Sequence, residues 1–436
     1  MAVTNTAQSV FTVIIKGPTG EIVMDNDDIK DIYFIEDIFS YLMTGRMMAR
    51  DTRGIVEFLP LVGNETITIE YGSVETGTPG DSYLIKEQTF DIIKVNTIES
   101  TGDKHRHFLE FFFIAAPHKR LHMEHYSKSY KCMMYTDYIA DILESHCGMS
   151  PGQFMNFEMG NEILQYFYTG LKTPAQNIEW LSSRSSGMTS GQPGYLLYSN
   201  TLDPDKPYNF ITLEQLLSQG SQMPPYGGSY SIGSHHEYNI NRILHYSDGR
   251  VDKRALERMM YFINLGYDIK RKRYLKNEYK YKEGLDRFTC LGNFSLFDSG
   301  NDEILSASQE LTCEAEEEFI MKNLYWGDWI KRYCLQHLVD VIIEGHVERH
   351  CGGMIEVMWP SASDDSIYDK NMNGNFLVKS ITHHFVPIQK PVYTQKMVLI
   401  KNGYADSDGI LTAAGKVNNK LVQLYESPYV SKVRGL

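Results

Sequence analysis

Apolar and polar residues alternate with a period of two near both ends of this chain, and helical spacing replaces that alternation in between. Along Thr66–Tyr71, Ile67, Ile69 and Tyr71 fall on one face and Thr66, Thr68 and Glu70 on the other. That is the pattern of a strand with one buried side. Phe11, Val13 and Ile15 repeat it, and so do Leu109, Phe111 and Phe113. Far downstream Val341, Ile343, Gly345 and Val347 alternate, followed by Ile355, Val357 and Trp359. Leu377, Lys379, Ile381 and His383 form one face of a further strand, and residues 392–401 form another. The 29 Tyr and 20 Phe suit such half-buried pleated surfaces. Gly72–Ser82 holds three Gly and one Pro, a turn-rich connection expected of a small barrel or sandwich. Between these strands, Ile35–Met48 is apolar at mixed spacing and reads as a helix or a loop excursion.

The pattern changes after Ala115. Tyr138, Ile139, Ile142 and Leu143 keep helical spacing, and Gly148 stands where such a helix would stop. Thr173 is a good N-cap, Pro174 fits the first helical position and Gln176 completes a capping box. Ala175, Ile178 and Leu181 then form one stripe, with Trp180 on its flank. Tyr195–Ser199 and Tyr208–Ile211 read as short strands joined through the turn Asp203-Pro204-Asp205, and Thr212 with Gln215 opens a short helix through Leu217. The block over roughly 116–220 is an αββα layout, and Gly220–Gly233 reads as a linker or long loop. The expected fold is mixed and mainly β, with an α+β insert. Its parts are a first β-barrel domain (1–115), an α/β domain (116–235), a second β-barrel domain with helical and loop insertions (236–403) and a C-terminal extension (404–436).

Composition narrows the function. A formal net charge of −13 opposes non-specific binding to nucleic acid, because phosphate contact rewards Lys and Arg. No apolar run of about 18 residues exists for a membrane span, and the first residues lack a basic region before Phe11–Ile15, so neither membrane insertion nor secretion is expected. The six Cys (132, 147, 290, 313, 334 and 351) form no CxxC pair, and are expected to be buried free thiols in a reducing compartment.

Candidate chemistry is sparse. His118, His122 and His125 lie at i, i+4 and i+7 and would share a helical face, a spacing able to hold zinc. The stretch reads HKRLHMEH and lacks the HExxH order, so an exposed basic turn between domains accounts for it better. His346, Glu348 and His350 alternate in a predicted strand beside Cys351, where solvated or core-edge side chains are expected. Asp369–Gly374 imitates a calcium loop but has Ser380 where a bidentate Glu is required. His383-His384 reads as structural. Lys270–Lys282 carries seven Lys or Arg interleaved with Tyr, yet Asp302–Glu318 carries seven acids nearby, which favours a solvated face or a contact with an acidic neighbour. No P-loop, GxGxxG or supported GxSxG occurs. No catalytic, cofactor-binding or metal-binding residue is therefore assigned, and no enzymatic activity is expected.

Two stretches carry a family likeness. Thr173-Pro174-Ala175-Gln176-Asn177-Ile178-Glu179-Trp180-Leu181-Ser182-Ser183-Arg184, then Gly194–Tyr198 and Tyr208–Leu216, resemble the central domain of baseplate hub proteins from contractile-tailed phages. Gly374–Phe385, then Tyr393-Thr394, look like the closing barrel strands of such hubs. The likeness spans residues 10–403 in domain order, through packing positions rather than catalytic ones; VgrG-type hubs are related, but this chain has no needle or lysozyme segment. The resemblance implies two domains like the tail-tube fold and a homotrimer adapting a six-fold tube to a three-fold central spike. Implied partners are the tail tube protein hexamer, the central spike protein, baseplate wedge proteins and the tape measure protein. DNA would pass without specific binding along an acid-lined channel. The implied location is the virion tail baseplate, assembled in the host cytoplasm. Two rivals are a tail-associated zinc-dependent cell-wall hydrolase, using the His118 or His346 group, and a receptor- or carbohydrate-binding tail protein using the Tyr excess for stacking.

Overall fold

The structure is a computed structural model. It describes residues 10–401 apart from 53, 56–58, 60–62, 75–82, 100–106, 161, 190–192, 220–225, 228–237, 248–260, 269–272, 281–330, 332–337, 360–373 and 388–391. The chain is mainly β with a helix-bearing insert. The early strands are β1 (Val10–Gly17), β2 (Gly20–Met24), β3 (Ile29–Asp37), β4 (Thr44–Arg50), β5 (Thr66–Val74), β6 (Tyr83–Glu99) and β7 (His107–Ala115). The insert contains α1 (His118–His122), β8 (Ser129–Met134), α2 (Tyr135–Ile142), β9 (Phe154–Phe157), β10 (Ile163–Tyr168), α3 (Pro174–Ser182), β11 (Tyr195–Ser199), β12 (Tyr208–Thr212) and α4 (Leu213–Leu217). The late strands are β13 (Tyr226–Gly227), β14 (Ile240–Ser247), β15 (Tyr261–Asp268), β16 (Arg273–Lys280), β17 (Leu338–Glu344), β18 (Met354–Met358), β19 (Gly374–Val386) and β20 (Val392–Ile400).

Early and late strands join into one antiparallel path, β14-β17-β20-β19-β3-β4-β7-β6-β5-β1-β2, with β18 added to β19. The path contains the same five-strand unit twice. In the early unit, strands taken in chain order β3, β4, β5, β6, β7 pair as β3-β4-β7-β6-β5; in the late unit β14, β17, β18, β19, β20 pair as β14-β17-β20-β19-β18. The correspondence holds residue by residue. Thr44 pairs with Ile114, Ile114 with Asp91 and Asp91 with Thr66. At matching places Leu338 pairs with Ile400, Ile400 with Leu377 and Leu377 with Met354. Bulges match too: β6 slips between Ile92 and Lys94 against β7, and β19 between Val378 and Ser380 against β20. Likewise β3 slips between Ile29 and Asp31, and β14 between Ile240 and Arg242. Bulges re-aim a strand and fix its register, so shared bulges make the units similar in geometry as well as order, although β14 has one further bulge, between Ile243 and His245, that β3 lacks.

The alternation explains what is buried. Ile67, Ile69, Met47, Phe111 and Phe113 in the early unit, and Ile355, Val357, Val341, Met397 and Leu399 at the matching late positions, are all buried. Ile35–Met48, expected as a helix or a loop excursion, is the end of β3, a six-residue loop over 38–43 and the start of β4, with no helix. The apolar spacing looked mixed there because it spans two strands joined by a loop.

The insert confirms its capping signals and adds strands to the expected αββα layout. The Gln176 N–H donates to Thr173 Oγ1 at 3.4 Å and the Thr173 N–H donates to Gln176 Oε1 at 3.1 Å, closing the capping box of α3. A π-helical turn extends α2 to Cys147, and Gly148 at φ +73° ends it, a conformation a side chain resists. β8 pairs with β10 over helices α2 and α3, where Phe167 stacks on Trp180 at 5.3 Å. β11 and β12 are buried along their whole length, and β9 joins β12 in parallel. Among the described residues, no helix is long and apolar enough to cross a membrane.

Candidate functional site

The place where chemistry-bearing side chains converge is the junction between the two units, where β19 pairs with β3. Ser380 pairs with Asp37 and Phe385 with Ile32, so the last strand edge of the late unit meets the first strand of the early one. Beneath this seam Glu36 and His383 are both fully buried, 2.7 Å apart. The carboxylate accepts from His383 Nε2, from the Thr201 hydroxyl at 2.6 Å and from the Cys351 N–H at 3.0 Å. His383 Nδ1 lies 2.7 Å from the hydroxyl of Tyr393, which accepts from Gln395 Nε2 at 2.9 Å. Gln395 Oε1 accepts from Arg349 at 2.9 Å and from the His346 N–H at 3.1 Å. Arg349, 3% exposed, also donates to the Tyr226 hydroxyl at 3.1 Å and to the Glu344 carbonyl.

The result is a continuous relay, Glu36–His383–Tyr393–Gln395–Arg349, with a carboxylate at one end and a guanidinium at the other. Burial pushes the Glu36 carboxyl up, but the hydrogen bonds from His383, Thr201 and the Cys351 amide outweigh it and hold the group below the usual carboxylate range. Burial drives the Tyr393 hydroxyl and the Cys351 thiol far up, so both stay protonated. The relay is fully buried at Glu36, and its Arg349 end lines a cavity of about 380 Å³. It ties four stretches together: β3, the end of β11 through Thr201, the loop 345–353, and β19 with β20. Lys86 adds a strap from β6 to the same corner, donating to the carbonyls of Thr201 at 2.5 Å and Leu202 at 3.2 Å. Gly345 lets the loop cross Tyr393, since a Cβ there would lie 2.2 Å from the ring.

The expected candidates fall differently. His118 and His122 share α1 with rings 5.3 Å apart, but the helix ends there, and His125 turns to the Leu171 carbonyl at 3.2 Å. Burial lowers the pKa of both His118 and His122, with repulsion between the two adding to the effect at His122. Among the described residues, no group of three or more His, Cys, Asp or Glu is placed to hold a metal. His346, Glu348 and His350 are not in a strand, because β17 ends at Glu344; they lie in the loop, where His350 Nδ1 is 3.1 Å from the Glu348 carbonyl. His383 and His384 are structural: His383 in the relay, His384 2.5 Å from Asp31 on the opposite face. Cys147 and Cys351 are buried free thiols as expected, but Cys132 is exposed, at φ +54°. Most of Asp369–Gly374, all of Asp302–Glu318, the C-terminal extension and Cys290, Cys313 and Cys334 lie outside the described residues. Within Lys270–Lys282 the strand Arg273–Lys280 pairs with Tyr261–Asp268. Glu36 and Gln395 were missed from sequence. Their only signal was a polar residue on the apolar face of a strand, at positions flanked by Phe34 and Met397.

No protein family and no curated protein matches the chain by sequence. Solved structures do. The 43 kDa tail protein of prophage MuSo2 from Shewanella oneidensis aligns over 90% of this chain and 99% of its own, at 11% identity and a TM-score of 0.52. A tail protein from Neisseria meningitidis MC58 aligns over 92% of this chain and 98% of its own, at 11% identity and a TM-score of 0.48. The E. coli c3393 protein, a type VI secretion component described as similar to the T4 tail proteins gp27 and gp5, aligns over 88% of this chain and 76% of its own, at 9% identity and a TM-score of 0.43. At such identities the likeness speaks for architecture, and the architecture of this chain is that of the MuSo2 phage tail protein.

Proposed function

We propose that the chain is the structural hub of a contractile phage tail baseplate, a homotrimer that adapts the six-fold tail tube to the three-fold central spike and surrounds the DNA exit path. One observation carries this reading: a single chain holds two five-strand units of similar geometry, set side by side in one sheet. Three chains would then offer six similar units to a hexameric tube, while their trimeric symmetry matches the spike. The units lie within 1–115 and 236–403, and the insert 116–235 sits outside the ring. Wedge and tape measure proteins are further partners in the assembled tail. The protein has no catalytic role in this reading, in which the buried Glu36–His383 pair holds segments together.

A reconstruction of the intact tail tip tests the reading. Three copies between tube and spike are expected; six copies in the ring, or a monomer at the periphery, overturn it. A lumen that is strongly positive overturns the DNA-passage part, since phosphates would bind rather than slide. Stoichiometric zinc in the purified protein would favour the hydrolase instead.

A further inference from the structure

We infer that the cavity at the Arg349 end of the relay is a binding site for a small carboxylate with an apolar tail. The inference does not depend on the trimeric ring, and it concerns the seam between the insert and the late unit. The cavity measures about 380 Å³. It lies between β9, β11 and β12 of the insert on one side and the loop 345–353 with β18, β19 and β20 on the other. A cavity of about 150 Å³ suffices for a benzene ring, so this one has room for a chain of roughly ten non-hydrogen atoms. Small-molecule sites are mostly apolar, with a few polar groups that fix the ligand's orientation. This cavity has both parts.

The polar part centres on Asn209, which lines the cavity and is 1% exposed. It stands on the middle strand of its sheet, between Tyr198 of β11 and Asn156 of β9. Its Oδ1 accepts from Asn156 Nδ2 at 2.9 Å, whereas its own Nδ2 is buried and has no partner among the described residues. Buried donors are nearly always paired, so one left over on a cavity wall marks a place for a ligand's acceptor oxygen. The charge of the wall selects the kind of oxygen. Arg349 lines the same cavity, and among the described residues no Asp or Glu does. Burial lowers the pKa of His350, also on the wall, which leaves its imidazole neutral near pH 7. A carboxylate head therefore meets an opposite charge there, and an ammonium head a like one.

The apolar part is adaptable. Met155 of β9, Met354 of β18 and Met397 of β20 bring three thioether side chains to the wall, joined by Ile355 and Val378. Methionine is unbranched and polarizable and refits around an irregular guest, which suits a flexible aliphatic tail. Such a ligand would touch the insert and the late unit at once. By mass action it would then stabilise the folded chain in proportion to its occupancy.

Octanoate is the probe, with 1-octanol and octylammonium as analogues that remove or reverse its charge. Calorimetric titration of the full chain near neutral pH is expected to show saturable binding of octanoate, binding of 1-octanol weaker by about tenfold, and none of octylammonium. Asn209→Leu removes the open donor and should weaken octanoate by about tenfold. Leu202→Trp, at a half-buried position on the wall, fills the cavity and should abolish binding. Octanoate should also raise the melting temperature of the parent chain but not that of Leu202→Trp, which keeps the test valid if Asn209→Leu fails to fold. 1-Octanol bound as tightly as octanoate overturns the carboxylate. Octanoate binding that survives in both variants overturns the site. No saturable octanoate binding by the parent chain removes the inference altogether, and none of these outcomes bears on the number of copies in the ring.

Discussion

At one matching position the two five-strand units carry the same ion pair with its charges exchanged. In the early unit Arg46 on β4 bridges to Glu110 on β7; in the late unit Asp340 on β17 and Lys396 on β20 occupy those places, 3.1 Å apart. Elsewhere the units share little sequence. The identical pairs in the matched strands are Ile29 with Ile240, Ile32 with Ile243, Ile67 with Ile355, Phe90 with Phe376 and Ile114 with Ile400, all apolar. The comparison separates what this architecture requires from what it leaves free. Required are an apolar residue at each inward position, one long strand that changes partner halfway, and bulges at fixed places. The sign of an outward charge is free provided its neighbour matches. The units differ most at the junction, where the late one has His383 in place of Thr97 and Gln395 in place of Leu109 and, with Arg349 of the loop 345–353, engages Glu36 of the early one. A polar lock of this kind can specify which edge meets which, because a wrong partner would leave a buried carboxylate unpaired.

That lock should be the largest energetic asymmetry between the units. Glu36→Ala leaves His383, Thr201 and the Cys351 amide without their acceptor in a dry site, and should cost about 3 to 5 kcal/mol in denaturant unfolding. Thr97→Ala, at the early counterpart of His383, should change stability by less than about 0.5 kcal/mol, since Thr97 is exposed. Similar losses in the two variants would mean that the relay is not what distinguishes the junctions.

The cores should behave alike where the junctions differ. Phe90 and Phe376 are both fully buried at matching positions. Truncating either to Ala should cost about 3 to 5 kcal/mol, the usual range for an aromatic removed from a packed interior. A loss confined to one of them would break the equivalence of the units.

Acid should act mainly through the junction. Because the folded carboxyl of Glu36 is held below its usual range, its contribution is complete above the unfolded pKa and lost as pH falls through the folded one. Unfolding curves of the parent and of Glu36→Gln should therefore differ most near neutrality and converge on the acid side of the ordinary carboxylate pKa. A gap that stays constant across that range would assign the stability to packing instead of charge.

Much of this was legible in the residues. Period-two runs located most long strands because a half-buried strand imposes that alternation, and the Thr173 box located α3 because its signals are local. The repeat was not legible, since it resides in pairing order and bulge position, and two strands can match in both while sharing one apolar residue. The junction was hidden for a related reason. Glu36 and Gln395 break the apolar face of their strands, and their partners lie hundreds of residues away in sequence. The strand expected through Val347 failed because Gly345 ends it: the loop must cross Tyr393, a tertiary demand absent from local spacing. The β8–β10 pair was missed because its apolar runs are short and lie between helical signals.

The exchanged ion pair offers the finest test, with the smallest effect. If the units are one geometry bearing two sets of side chains, the early unit should accept the late unit's charges. Arg46→Asp alone places a carboxylate beside Glu110, whose carboxyl is held low by the amide of Asn96 and by Arg46 itself, and so should lower the melting temperature slightly. Adding Glu110→Lys recreates the arrangement of Asp340 and Lys396 and should restore it. Recovery will be nearly complete and weaker at high salt, because the pair lies on the outward face, where screening reaches it. Recovery also requires that Asn96, which now donates to Glu110 at 2.9 Å, tolerate a lysine, as its late counterpart Thr382 does beside Lys396. If the double variant melts lower than the single one, outward charges are set by something beyond the strand pair, and the equivalence of the units stops at the backbone.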